Sequence, residues 1–134
     1  GVGSLAIPLA QRGASVSASD ISAAMADEAA RRAADLGITS AEFAASDLES
    51  VNGKYDTVTC IDVMIHYPTD KMQEMVSHLA SLSSDRLFVS FAPKTPQYVL
   101  LKKIGELFPG PSKTTRAYLH PEDSVRDALA QAGF

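Results

Sequence analysis

The sequence predicts an α/β fold built around a mostly parallel sheet. Strand-like and helix-like hydrophobic runs alternate along the chain, no Ser/Gly-rich linker separates them, and acidic residues close successive strands. With 134 residues, 46% hydrophobic and 21% charged, the chain has the size and composition of one globular domain, 1–134, and of neither a disordered tail nor a collagen-like repeat.

The first element is a short helix from Leu5 to Gln11, opening after a Gly-rich turn and ended by Gly13. Ser15 to Ser19 forms a short strand that stops at Asp20, and Ser22 then caps a helix from Ala23 to Leu36, whose alanines favour helix and whose end is marked by Gly37. Ala41 to Ala45 is a second strand, followed by Asp47-Leu48-Glu49. Tyr55 to Asp62 alternates and continues apolar through Ile65, which predicts a central strand buried on both faces. Pro68 breaks it, and Asp70 to Leu82 is a helix with Met72, Met75, Val76 and Leu79 on one face. Arg86 to Ala92 is the next strand, Pro96 to Leu107 a helix with an apolar side, Pro109-Gly-Pro111 a rigid turn, and Glu122 to Ala132 the last helix.

Charge and cysteine content narrow the function. A net charge of -4, from 12 Lys+Arg against 16 Asp+Glu, argues against binding nucleic acid by phosphate neutralisation. The single cysteine, Cys60, excludes an intramolecular disulfide framework and reads as a small buried hydrophobe; no metal site is expected. No run approaches the ~20 apolar residues of a membrane span. Beginning at Gly1 instead of Met, the sequence reads as an internal piece of a longer protein.

The candidate chemistry lies at strand ends. Gly1 and Gly3 form a turn that lets the backbone approach a ligand, and Asp20, 17 residues after Gly3, can accept hydrogen bonds from both hydroxyls of a ribose. Asp47 closes the next strand, where it can accept from an adenine amine while Leu48 packs on the ring. Each carboxylate also has a purely structural alternative, Asp20 as a helix cap and Asp47 as a turn residue. Asp62 through His66 and Tyr67 ends a third strand with a polar and aromatic cluster at the place where a transferred group would sit. The stretch Ser90 to His120 carries Lys94, Lys102, Lys103, Lys113 and Arg116 against Glu106, which suits a dicarboxylate. Lys102 and Lys103 also fit a solvated helix face, so Lys94, Lys113 and Arg116, in loops, are the stronger candidates.

These residues form runs that resemble a known family. Gly3-Ser-Leu-Ala-Ile-Pro-Leu9, Ser17-Ala-Ser-Asp-Ile-Ser-Ala-Ala-Met25, Asp47-Leu-Glu-Ser50, Ile65-His-Tyr-Pro68, Ser90-Phe-Ala-Pro-Lys-Thr95, Pro109-Gly-Pro-Ser-Lys113 and Ala117-Tyr-Leu-His120 together are similar to the magnesium-protoporphyrin IX methyltransferases of chlorophyll biosynthesis. The resemblance implies a Rossmann-like class I methyltransferase with a doubly wound sheet, truncated at both ends: a first strand would precede Gly1, and the terminal antiparallel strands are missing.

It implies transfer of a methyl group from S-adenosyl-L-methionine to a propionate carboxylate of Mg-protoporphyrin IX. Gly1, Gly3, Asp20, Ile21, Asp47, Leu48 and Asp62 would hold the cofactor, His66 would stand beside the methyl donor, and Tyr67, Lys94, Lys113 and Arg116 would meet the porphyrin. It further implies a magnesium chelatase subunit as partner and peripheral membrane association. The compartment would be the chloroplast in a eukaryote, and the cytoplasm or a membrane surface in a bacterium. An axial contact from His120 to the porphyrin magnesium is a minor alternative, and no protein metal site is implied. Another class I small-molecule methyltransferase and a non-catalytic methyltransferase-like scaffold are the alternatives. A nicotinamide-dependent oxidoreductase lacks an evident substrate domain and catalytic pair.

Overall fold

The structure is a computed structural model that describes residues 1–108 and 117–134. The chain divides into two compact units, Gly1–Asn52 and Gly53–Phe134. In each, a parallel strand pair is joined by a helical crossover, the arrangement that the alternating patterning predicts.

The first unit runs α1 (Ala6–Gln11), β1 (Val16–Asp20), α2 (Ala23–Asp35) and β2 (Ala41–Ala45). Strands β1 and β2 pair in parallel, with Val16 opposite Ala41 and Asp20 opposite Ala45. Ser22 caps α2 as expected, its Oγ accepting from Met25 N–H at 3.4 Å. The inner face of α2 is Ala26, Ala29 and Ala33, all buried, and small side chains there let the helix lie close to its neighbours. On its outer face Glu28 takes Arg31 and Arg32 at 2.7 Å, and those two guanidinium groups pull its carboxyl down to about 2. These pairs are exposed and serve mainly to make the outer face polar.

The second unit runs β3 (Tyr55–Cys60), α3 (Thr69–Leu82), β4 (Ser83–Val89), α4 (Pro96–Leu107) and α5 (Glu122–Gln131). Helix α3 buries Met72, Met75, Val76 and Leu79, the face its spacing predicts, and packs against α5 through Val125 and Ala128.

Three expectations are corrected here. Strand β3 ends at Cys60, not Asp62, and Met64–His66 is a 3-10 turn instead of more strand. The cause is Asp62, whose φ of 58° takes the backbone out of the extended region. Nor is β3 buried on both faces: Asp56, Thr57 and Thr59 are exposed among the described residues.

Strand β4 begins at Ser83, three residues before the expected start, because α3 passes into it without a loop. Ser84 Oγ donates to Tyr55 O at 3.2 Å, and Ser83 Oγ donates to Arg86 O at 2.7 Å, which gives these polar residues a place in the strand. Helix α4 has the expected bounds, with Thr95 Oγ accepting from Tyr98 N–H, yet it buries no residue among those described. The expected turn Pro109–Pro111 lies outside the described residues.

Candidate functional site

Each unit gathers its candidate residues at the carboxyl ends of its strands. In the first, Gly3 is buried with φ 83°, and a Cβ added there would stand 2.8 Å from Ile7 Cδ1 and 3.4 Å from Ala29 Cβ. The left-handed backbone conformation favours glycine, and a side chain would in addition have to displace the end of Ile7.

Asp20, at the end of β1, receives the Gly1 nitrogen on Oδ2 and Ser22 N–H on Oδ1 at 2.8 Å. Asp20 thus lies beside the Gly1–Gly3 turn. One residue on, Ile21 is 82% exposed, an apolar side chain left at the rim beside the carboxylate.

Asp47 lies at the same end of the strand pair: Asp20 faces Ala45, and Ser46 N–H donates to Asp20 O at 2.9 Å. Asp47 Oδ1 accepts from Ser50 N–H at 2.7 Å and starts the short 3-10 turn Leu48–Ser50. Hydrogen bonds from Ser50, side chain first and backbone next, lower its pKa. The turn alternative is thus realised at Asp47, whereas α2 is capped by Ser22 and Asp20 only accepts from the Ser22 N–H ahead of it. Neither arrangement uses up a carboxylate, which offers about four lone-pair sites. Leu48 is half-buried beside it.

In the second unit Asp62 is the one non-glycine residue with positive φ among those described. Its N–H donates to Ser90 Oγ at 2.8 Å, and Ser90 N–H donates to Cys60 O at 2.9 Å, so β3 and β4 are tied just past their ends. A strained residue at such a strand end is a frequent mark of a functional site. His66 closes the following 3-10 turn and is exposed; Tyr67 is half-buried. Cys60 is buried and its thiol is pushed up to about 11 by that burial, which fits the inert reading.

His120 is the main correction. It is fully buried, with Nε2 2.8 Å from Met64 O and Nδ1 3.3 Å from Thr69 Oγ1, so neither nitrogen is turned outward to meet a magnesium ion. Its backbone bridges to Pro93, donating to Ala92 O and accepting from Lys94 N–H, both at 2.9 Å. Sequence reasoning missed Ser90, Thr69 and His120 as organisers, because nothing local marks which residue a loop will bury. The only local hint at His120 is Pro121, which separates a short extended segment from the last helix.

Lys94 joins Lys102, Lys103 and Tyr118 around a groove of about 320 Å3, with Glu106 as the acidic member. The structure therefore groups the loop lysine with the two helix lysines that the sequence had assigned to a solvated face. Lys113 and Arg116 lie outside the described residues. Among the described residues no group of three or more His, Cys, Asp or Glu could hold a metal ion, and no helix is long and apolar enough to cross a membrane.

Two family models match overlapping parts of the chain. Residues 60–134 match the C-terminal region of magnesium-protoporphyrin IX methyltransferase, and residues 1–85 match a methyltransferase domain. The chain is 59% identical to the chloroplastic magnesium protoporphyrin IX methyltransferase of Arabidopsis thaliana, covering 100% of this chain and 44% of that protein. It is 56% identical to the magnesium-protoporphyrin O-methyltransferase of Synechocystis, covering 100% and 59%. The crystal structure of the methyltransferase from Synechocystis PCC 6803 with bound SAH superposes with a TM-score of 0.88 at 53% identity, over 100% of this chain and 60% of that one. Mycolic acid cyclopropane synthase, at 13% identity and a TM-score of 0.82 over 100% of this chain and 52% of that one, shares the fold. The chain thus spans between 44% and 59% of the two curated relatives.

Proposed function

The chain belongs to the magnesium-protoporphyrin IX methyltransferase family, and from that premise we propose that the whole protein methylates a propionate carboxylate of Mg-protoporphyrin IX, with S-adenosyl-L-methionine as donor, in chlorophyll biosynthesis. The 134 residues form a single partial methyltransferase domain in this reading. The observation that carries it is the agreement of family and strand-end chemistry: a left-handed glycine turn, and two carboxylates closing adjacent parallel strands beside an exposed isoleucine.

The residues fit the donor. Gly3 takes a left-handed conformation in the turn before α1, and Asp20 and Asp47 keep acceptor capacity after their own backbone bonds. S-adenosyl-L-methionine supplies a methyl carbon made electrophilic by its sulfonium. Gly1 and Gly3 form the turn around its methionine end, Asp20 accepts from the ribose hydroxyls, Ile21 and Leu48 pack on the adenine, Asp47 accepts from its amine, and Asp62 completes the cofactor side.

A propionate has a pKa of about 4.3 and is ionised at neutral pH, so the chain needs no strong base. Its task is to orient the acceptor and exclude water, since alignment at about 3–3.5 Å supplies much of the rate. His66 donates a hydrogen bond to the carboxylate, Tyr67 packs beside the macrocycle, and Lys94, Lys113 and Arg116 neutralise its propionates. A magnesium chelatase subunit is the partner we assign, with peripheral membrane contact. The compartment is the chloroplast for a eukaryotic source, as the name of the Arabidopsis relative suggests, and the cytoplasm or a membrane surface for a bacterial one.

Calorimetric titration of the whole protein with S-adenosylhomocysteine and with NAD, followed by an assay for methyl ester on Mg-protoporphyrin IX, tests the proposal. Binding of the first ligand only, ester formation, and loss of turnover with retained cofactor affinity in His66→Ala are the expected results. Cofactor binding with no ester would leave a methyltransferase-like scaffold and overturn it. Turnover within about twofold of wild type in His66→Ala would remove the catalytic role of that residue.

A further inference from the structure

We infer that His120 is a positioning residue whose buried ring holds the turn that carries His66. The inference rests on the proposed role of His66, but its geometry stands by itself.

The turn Met64–His66 has its own backbone bonds, His66 N–H to Val63 O at 3.0 Å and Tyr67 N–H to Met64 O at 3.2 Å, but no side-chain cap at Val63. Two bonds from the segment before α5 fix its position. Tyr118 N–H donates to Ile65 O at 2.8 Å, and the His120 ring meets Met64 O at the same distance. A carbonyl oxygen can only accept, so Nε2 must carry the hydrogen. In the neutral ring Nδ1 is then an acceptor, and the Thr69 hydroxyl 3.3 Å away is its donor. Thr69 is the first residue of α3, and the His120 backbone bonds on both sides of Pro93. One residue, with no exposed surface, therefore ties the loop after β3, the start of α3 and the loop after β4. Those loops carry Asp62, His66, Tyr67 and Lys94.

The consequence is specific to one ring nitrogen. Without a donor at the Nε2 position, Met64 O loses its shorter bond and keeps the Tyr67 N–H at 3.2 Å, so the buried carbonyl is under-satisfied and the turn shifts. A misplacement of about 1 Å at a reacting group can cost on the order of a hundredfold in rate.

The test compares His120→Gln, whose amide nitrogen can reach the Nε2 position, with His120→Asn, whose amide reaches only the Nδ1 position. In the whole protein, kcat should fall by about 10- to 100-fold in His120→Asn with KM for S-adenosylmethionine within about twofold, and His120→Gln should recover most of that loss. Two readouts do not need turnover. The wild-type imidazole 15N shifts should report a protonated Nε2 and an unprotonated Nδ1. The Tyr118 amide should lose hydrogen-exchange protection in His120→Asn and keep it in His120→Gln.

If His120→Asn does not fold, Thr69→Val keeps the ring in place and removes the donor to Nδ1. The proton should stay on Nε2 in the 15N spectrum, because Met64 O still requires it, while the ring is held less firmly and kcat falls. A wild-type proton on Nδ1, equal damage in Gln and Asn, or unchanged Tyr118 protection in Asn would each overturn the inference. A whole protein that methylates no porphyrin would sink the proposed function, while the 15N shifts and Tyr118 exchange would still decide whether His120 holds the turn.

Discussion

The two units solve the same problem, holding polar residues at the ends of a parallel strand pair, with different materials. In the first, the buried side chains are small: Ala6, Ala10, Ala26, Ala29 and Ala33, with Ile7 the largest. In the second, Cys60, Ala80, Ser83 and Ala128 are joined by the larger Met64, Met72, Met75, Val76, Leu79, Leu82 and Val125, and by a buried histidine. Small residues let backbone approach backbone, and little area is buried to hold the turn at Gly3. Long flexible residues bury far more area but specify loop position less sharply. The second unit therefore depends on directed hydrogen bonds from His120, Thr69 and Ser90 to place its loops.

Perturbing the apolar core of the second unit should have the largest effect. Met72 is fully buried, and Met72→Ala in the whole protein should cost about 2–5 kcal/mol of stability, read by denaturant unfolding. A loss below about 1 kcal/mol would mean that the methionine core yields to fill the space, and the contrast with the first unit would weaken. Next comes Asp20→Ala, which should weaken S-adenosylhomocysteine binding by about 1–3 kcal/mol in calorimetry, since ribose hydroxyls lose a charge-assisted acceptor. An unchanged dissociation constant would reduce Asp20 to the cap of the Ile21–Ser22 turn.

Gly3→Ala should destabilise by about 1–2 kcal/mol, the cost of a left-handed conformation, with the Ile7 side chain giving way to the new methyl. A wild-type thermal midpoint would show that the turn does not need glycine. The smallest effect concerns Asp47, which is exposed. Its pKa is lowered in the folded state, so the stability it adds is present above its ordinary value of 3.8 and is lost as pH falls through the lower folded value. The difference in thermal midpoint between wild type and Asp47→Asn should therefore be present at neutral pH and vanish in acid. A constant difference would assign the effect to packing instead of charge.

What the sequence by itself determined were the features that depend on near neighbours. Ser22 as a cap, the exact span of β2 and of α4, the alanine-rich helix α2 and the methionine face of α3 all follow from propensity, hydrogen bonds or side-chain periodicity within a few residues. The carboxylates Asp20 and Asp47 were also readable, because a residue just past a strand is at the strand end whatever that strand pairs with. Tertiary structure alone decided where β3 stops, where β4 starts, and which histidine is buried. Asp62 leaves the strand to meet Ser90, Ser84 joins one through Tyr55, and His120 reaches Met64, across 28, 29 and 56 residues respectively. Such bonds form only when the intervening chain has folded back. A window along the sequence sees in Ser83-Ser84-Asp85 the composition of a turn, and in His120 one more polar residue before a proline.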